Sequence, residues 1–463
     1  MGLVSDRDGN AALRGGRLSP QAYAENFADA HLPLTPNQAS IESDRCYFCY
    51  DAPCVKACPT QIDVPSFIRN IATGNIKGAA HDILEQNIMG AVCARVCPTE
   101  VLCEGACVRN DPEQKPVAIG ALQRHATDWL FDRHVQLFER APATGKRVGV
   151  VGGGPAGLSC AHRLAMLGHE VTVFDAHDKL GGLNEYGVAA YKVTSQIAQR
   201  EVAYLLEIGG IEPKLGVRLG RDISLSRLRG DFDAVFLGIG VGGVNALGID
   251  EPKLAGVFDA IGYIEMLRQA DDLSQLPVGR SVVVIGGGMT AIDIASQVKR
   301  LGAEDVTIVY RRGPYDMGAS NKEQAWAQTS GVRIKHWARP LRLLGRDGAL
   351  TAVEFTRTQS DAELAEDDAS ENFIVAADML FKAIGQRLIK EDLDGNANVL
   401  EMNAGRIAVD AQRKTSVPGV WAGGDCVAGG KDLTVVAVED GKRAALSIDR
   451  HLRQQSKTGA HNG

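Results

Sequence analysis
The sequence runs to 463 residues, with 45% hydrophobic and 23% charged side chains and a formal net charge of −7, enough for about three domains with separate cores. Negative charge without a basic stripe excludes nucleic acid as an expected partner. No apolar run approaches the roughly 18 to 20 residues that cross a bilayer, and the opening MGLVSDRDGNAALRGGRLSP lacks a signal-peptide core, so a cytoplasmic chain without a membrane partner is expected.

Residues 1 to about 40 read as a polar arm with one helix around Pro20–Ala30. Between Arg45 and Cys107 lie eight of the ten cysteines, at Cys46, Cys49, Cys54, Cys58, Cys93, Cys97, Cys103 and Cys107. Their spacing is C-x2-C-x4-C-x3-C-P and then C-x3-C-P-x4-C-x3-C. Three chemistries compete for such a pattern. A disulfide framework belongs to small secreted domains, and zinc prefers two close pairs that close one tetrahedron. Iron–sulfur ligation takes thiolates from short loops, sets a proline after the last cysteine of a run and lets that cysteine reach a second cluster. Cys58-Pro59 and Cys97-Pro98 fit the third pattern, and two iron–sulfur clusters are expected. Between the runs, Asp63 is a candidate N-cap for a helix carrying Phe67, Ile68 and Ile71 and ended by Gly74. A second helix, Ile76 to Gln86, sets Ile76, Ala79, Ala80, Ile83 and Leu84 on one face. A further helical pattern runs from Val117 through Leu130 and contains Gln123, and APATG at 141–145 reads as a linker.

From Lys146 the composition changes. Arg147–Val151 is a buried-strand pattern, Gly152, Gly154 and Gly157 form a G-x-G-x-x-G turn that opens a helix, and the next strand ends at Asp175. Strand, turn, helix, strand and terminal acid together mark a dinucleotide-binding βαβ unit, whose glycines let backbone approach a pyrophosphate at the helix N-terminus. Asp175 is placed to accept ribose hydroxyls. A second unit starts at Ser281, with its turn at Gly286, Gly288 and Ala291. There Tyr310, Arg311 and Arg312 stand where the first unit has its acid. Arginines at that place can hold a 2′-phosphate through forked hydrogen bonds; the alternative is a solvated surface pair. Two apolar runs ending at Gly240 and Gly385 read as the closing strands of the two units. Gly419–Asp425 reads as a strand ending in G-D, and Thr434 begins the last helix. Cys160 and Cys426, outside any CxxC, read as buried small hydrophobes.

In this order the parts resemble the flavin and iron–sulfur half of dihydropyrimidine dehydrogenase, in particular the separate subunit found in bacteria; the wider group includes the small subunit of glutamate synthase. The likeness covers the chain beyond its first 40 residues and is most specific at Asp51-Ala52-Pro53-Cys54, at Cys93 to Cys107 and at Ile119-Gly120-Ala121-Leu122-Gln123. It implies an α/β fold class: a helical N-terminal domain with two 4Fe–4S clusters (1–142), then two Rossmann-like domains. The FAD domain falls in two parts (145–278 and 389–463), with the NAD(P) domain (279–388) inserted in it. It implies Cys46, Cys49, Cys54 and Cys107 on one cluster and Cys58, Cys97, Cys103 and Gln123 on the other, with Cys93 a non-ligand. Gly152, Gly154, Ala156, Gly157, Asp175 (where the family usually has Glu), Gly182, Gly424, Asp425 and Thr434 would hold FAD. Gly286, Gly288, Ala291, Arg311 and Arg312 would hold NAD(P)H. The implied activity is electron input from NAD(P)H through FAD and clusters to an FMN-containing partner subunit that reduces uracil or thymine, in a heterotetramer. No catalytic side chain is nominated. Two other readings are a glutamate-synthase-type small subunit and a cluster-bearing scaffold without catalysis.

Overall fold
The structure, a computed structural model, describes residues 13–358, 372–389, 393 and 399–459; the first twelve residues of the expected arm lie outside that range. The chain divides into two compact units. The described parts of His31–Glu185, Val193–Gly243 and Arg387–Gly463 form one, and those of Met1–Ala30, Tyr186–Lys192 and Val244–Gln386 the other.

In the first unit, helices α1 (Val64–Ala72), α2 (Ile76–Gln86), α3 (Gly90–Val96) and α4 (Ile119–Asp132) carry the thiol region. The Asp63 carboxylate accepts from Ser66 N at 3.0 Å and starts α1, which buries Val64, Phe67, Ile68 and Ile71. Asn75 caps α2 through Gly78 N, and α2 buries Ala79, Ala80, Ile83 and Leu84. Each large apolar side chain so buried contributes about 1.5–3 kcal/mol. Next comes a five-stranded parallel sheet of β1 (Arg147–Val151), β2 (Glu170–Phe174), β3 (Ile211–Lys214), β4 (Ala234–Leu237) and a late strand, Val420–Ala422, in the order late strand–β4–β1–β2–β3. Helix α5 (Pro155–Met166) follows β1.

The second unit has its own parallel sheet of β5 (Val257–Asp259), β6 (Ser281–Ile285), β7 (Asp305–Val309), β8 (Arg333–Lys335) and a strand at Met379–Lys382, which lies between β5 and β6. Helix α6 (Met289–Arg300) follows β6. An antiparallel meander of Ala338–Arg346, Ala349–Arg357 and Asn372–Ala376 completes the unit.

The grouping departs from the expected boundaries. Segment 244–278, expected with the first dinucleotide unit, groups with the second, because Val257–Asp259 pairs in parallel with Leu380–Lys382. The N-terminal helix Pro20–Asn26, expected with the thiol domain, packs Tyr23 into the second unit's core. Its Asn26 amide donates to Arg300 O at 2.8 Å.

Candidate functional site
Cys46, Cys49, Cys54 and Cys107 line one pocket whose walls include Val64, Ile68, Val117 and Ile119. Burial first, then the neighbouring Cys46 and Cys107, pushes the Cys54 thiol up to about 12. Cys58, Cys93, Cys97 and Cys103 form a second group, near enough to Cys54 for it to act on Cys103. Cys97 is raised by a side-chain hydrogen bond with Cys93 and by burial, with Cys103 and Cys58 close enough to add to the effect. Burial also raises Cys103, beside Glu104 and Cys58. Thiols crowded into apolar surroundings resist ionisation until an electrophile takes the thiolates, and metal binding then releases their protons. All ten cysteines are free thiols. Among the described residues no three His, Cys, Asp or Glu side chains close on a single metal position.

Gln123 is 8% exposed on α4, and its amide nitrogen donates to Gly90 O at 2.7 Å. A carbonyl can only accept, so the amide NH2 must face Gly90 and the carbonyl oxygen is turned away as a donor atom for a ligand. Cys93, 1% exposed, lies against Cys97. The donors therefore suit iron–sulfur chemistry: four thiols in one apolar pocket, and Cys58, Cys93, Cys97 and Cys103 in a second group with Gln123 nearby on the Gly90 carbonyl.

The glycine turns divide into two kinds of position. At Gly152, φ is +99°, and an added Cβ would lie 2.2 Å from Gly238 O; at Gly157 it would lie 1.8 Å from Gly152 O. These two glycines are demanded by the protein itself. Gly154 is different: it caps α5 with extended backbone, and an added Cβ would meet only Gly182 Cα, at 3.6 Å. Packing leaves room there for a side chain, which is the space that a pyrophosphate on the helix N-terminus requires. Gly182 crosses close above, its own Cβ position 2.6 Å from Gly154 Cα, and that of Gly424 is 3.0 Å from Ala156 Cβ. Gly152, Gly154, Ala156, Gly182 and Gly424 are thus brought together. The Asp175 carboxylate joins them, accepting from Gly153 N at 2.6 Å and His177 N at 2.8 Å. Asp425 follows Gly424 in a short turn, and burial together with Asp432 raises its carboxyl to about 6. Thr434 opens the last helix, α7 (Thr434–Gly459), and its hydroxyl donates to Asn184 Oδ1 at 2.9 Å.

The second turn repeats the division. Gly286 has φ +148° and its Cβ would lie 2.1 Å from Ala383 O, whereas Gly288, capping α6, has nothing within 4 Å. Ala291 is fully buried. β7 ends at Val309, so Tyr310 sits just beyond it; the tyrosine ring packs over Gly287 and its hydroxyl donates to Asp316 O at 2.7 Å. Arg311 and Arg312 are exposed. Their carbonyls accept from Thr358 Oγ1 and Trp337 N, while no partner of either guanidinium occurs among the described residues.

Sequence reasoning missed four supporting groups. Asp440, 1% exposed, accepts from Gly424 N at 3.0 Å and pairs with Arg413 at 2.5 Å, holding the G-D turn. Gly441, next to it, lets α7 lie on α5: a Cβ there would be 2.1 Å from Ala156 O. Glu201 is fully buried and accepts from Ala91 N and Val92 N at 2.8 and 3.3 Å, at the start of α3. In the second unit, Lys192 bridges Asp293 of α6 and Glu323, each at 2.8 Å. Only Gly441 left a readable sign, a glycine inside a helical pattern.

Residues 23–135 match the family model for dihydropyrimidine dehydrogenase domain II, 4Fe-4S cluster, and residues 146–441 that for pyridine nucleotide-disulphide oxidoreductase. The chain is 35% identical to the NAD-dependent dihydropyrimidine dehydrogenase subunit PreT homolog of Salmonella typhi, over 93% of this chain and 98% of that one. It is 34% identical to the glutamate synthase (NADPH) small chain of Escherichia coli K12, over 91% of this chain and 93% of that one. Among solved structures, Mycobacterium tuberculosis FprA in complex with NADPH superposes with a TM-score of 0.54 at 17% identity, covering 69% of this chain and 86% of that one. T. acidophilum thioredoxin reductase gives 0.51 at 20%, covering 65% and 98%. These two likenesses concern the fold alone.

Proposed function
The chain belongs to the pyridine nucleotide-disulphide oxidoreductase family, and from that premise we propose that it is the electron-input subunit of a dihydropyrimidine dehydrogenase. It is an NAD(P)-dependent oxidoreductase that uses FAD and 4Fe–4S clusters. When bound, nicotinamide exchanges hydride, flavin accepts electrons in pairs and yields them singly, and the clusters carry one electron at a time. The protein's part is to bind, orient and order these groups. Gly154 and Gly288 offer open helix N-termini to the two pyrophosphates. Asp175, fixed by two backbone N–H groups, presents its remaining lone pairs to a ribose. Asp440 and Arg413 hold Gly424–Asp425 against α5, and the N-terminus of α7 supplies a positive dipole end suited to reduced flavin. Cys46, Cys49, Cys54 and Cys107 are the proposed ligands of one cluster, and Cys58, Cys97, Cys103 and Gln123 of the other.

Local contacts support an order. Asn184, bonded to Thr434, points its amide at Met89 Sδ at 4.0 Å; Met89 adjoins Gly90, which holds Gln123. The thiol set with Gln123 therefore neighbours the flavin side, while the other set lies beside Tyr47 and Tyr50, which are 56% and 106% exposed. Electrons would enter at the first and leave at the second, to an FMN-containing partner that reduces uracil or thymine. No helix among the described residues is long and apolar enough to cross a membrane, and a cytoplasmic heterotetramer is the proposed setting. The observation that carries the dihydropyrimidine reading is buried Gln123 with its carbonyl oxygen freed by Gly90. The alternative favoured by a specific observation is the small subunit of a glutamate synthase, at nearly equal identity. Anaerobic purification tests the cofactor set: about eight irons per chain are expected for two cubane clusters, with flavin bleached by NAD(P)H. Iron well below that value, or a flavin inert to both coenzymes, would refute it.

A further inference from the structure
Thr60 and Lys442 stand where the flavin-side helix meets the thiol region, outside both proposed ligand sets. Thr60 is fully buried, and its Oγ1 lies 3.3 Å from Cys58 Sγ. In the free thiol either atom can donate. Once Cys58 is a metal-bound thiolate it has no proton left, so the hydroxyl must become the donor and the sulfur the acceptor. From α7, the Lys442 ammonium donates to Thr60 O at 3.1 Å, to Gln86 O at 3.2 Å and to Gln86 Oε1 at 3.1 Å. It also pairs with Glu439 at 2.9 Å. The flavin-side helix thereby grips the backbone of the residue whose side chain meets a cluster thiol, and sets a cation two residues from that thiol.

Hydrogen bonds to cluster sulfurs and nearby charge are two of the means by which a protein sets a cluster's potential. A donor to the sulfur and a cation nearby both favour the reduced, more negative form. We infer that Thr60, held in place by Lys442, is a positioning residue that raises the potential of the cluster ligated by Cys58 relative to the other cluster, making it the better acceptor of electrons from the flavin side. The inference rests on Cys58 being a ligand, as proposed above.

The test is a redox titration of the whole chain with both clusters and FAD, followed by low-temperature electron paramagnetic resonance. Thr60→Val keeps the shape and removes the hydroxyl; one of the two cluster potentials is expected to fall, with about tenfold less reduced cluster at a fixed potential, or about 59 mV for a one-electron couple. The other potential should stay, and Thr60→Ser should restore the first. Eight irons with both potentials unchanged in Thr60→Val would overturn the inference. If that variant binds less iron, Lys442→Met carries the test, since it leaves every ligand and the hydroxyl present. A fall in the same potential supports the inference, and no change overturns it. Full iron retention in Cys58→Ser would instead condemn the ligand set, a failure distinguishable from the absence of a hydrogen-bond effect.

Discussion

Replacing Gly288 by alanine separates binding from folding. Gly288 has φ −93° and ψ 179°, a conformation open to any residue, and its Cβ would meet no atom within 4 Å. The change stabilises the chain by about 0.4–1 kcal/mol through the unfolded state and loses about 0.5–1.5 kcal/mol of N-cap preference. The two nearly cancel, so folding stability should move by less than about 1 kcal/mol. The coenzyme, in contrast, would find a methyl group where its pyrophosphate has to approach the N-terminus of α6. Losing one charged hydrogen bond costs roughly 1.5–3 kcal/mol, or about ten- to a hundredfold in affinity. Stopped-flow reduction of the flavin at varied NADH and NADPH would read the loss, beside a melting curve and a flavin count on the same sample. Wild-type coenzyme affinity in a folded Gly288→Ala protein would refute the reasoning, and loss of FAD with NAD(P)H binding intact would show that the two turns have exchanged roles.

Other outcomes follow from the same geometry. Cys46→Ser and Cys103→Ser should each lose about half of roughly eight irons, whereas Cys93→Ser should keep them all; full iron in Cys103→Ser would break the assignment. NADP(H) should be accepted at least as well as NAD(H), and Arg311→Ala should weaken NADPH by about tenfold or more while sparing NADH; a strong NADH preference unchanged by the substitution would make Arg311 a surface charge. Gly441→Ala should cost about 1–3 kcal/mol by forcing α7 off Ala156 O, seen as a lowered melting temperature, and an unchanged one would contradict the close packing. Burial outweighs the two N–H donors at Glu201 and raises its carboxyl from 4.5 to about 8. With the folded value raised, ionisation opposes folding. Stability is therefore lost as pH rises from about 4.5 to 8, at up to about 1.4 kcal/mol per pH unit. Glu201→Gln should flatten that loss in melting curves taken across the window, and parallel curves would rule it out.

What could be read beforehand were features whose cause is local. The Asp63 cap, the apolar faces of α1 and α2, and the glycine spacing of the two turns are written in residues a few positions apart, although the close approach of Gly238 O to Gly152 and of Ala383 O to Gly286 comes from the folded sheet. What could not be read depends on tertiary burial. Glu201 lies on a helix whose sequence gives no sign that this acid faces another helix's first turn, and Asp440 looks like a surface charge until Gly424 and Arg413 fold against it. Val257–Asp259 is too short to show alternation, so its membership of the second sheet emerges only from pairing with Leu380–Lys382. Lys192 joins Asp293 and Glu323 across about a hundred residues or more of sequence, where no periodic pattern operates.

The proposed destination of electrons entering here is a pyrimidine. It is tested most directly by purifying the chain anaerobically together with its natural partner and following coenzyme oxidation with candidate acceptors. The account predicts uracil- or thymine-dependent oxidation of NAD(P)H by the complex, an FMN on the partner, and no pyrimidine reduction by this chain alone. Oxidation that depends on glutamine and 2-oxoglutarate and ignores uracil would contradict it and place the chain with the glutamate synthases.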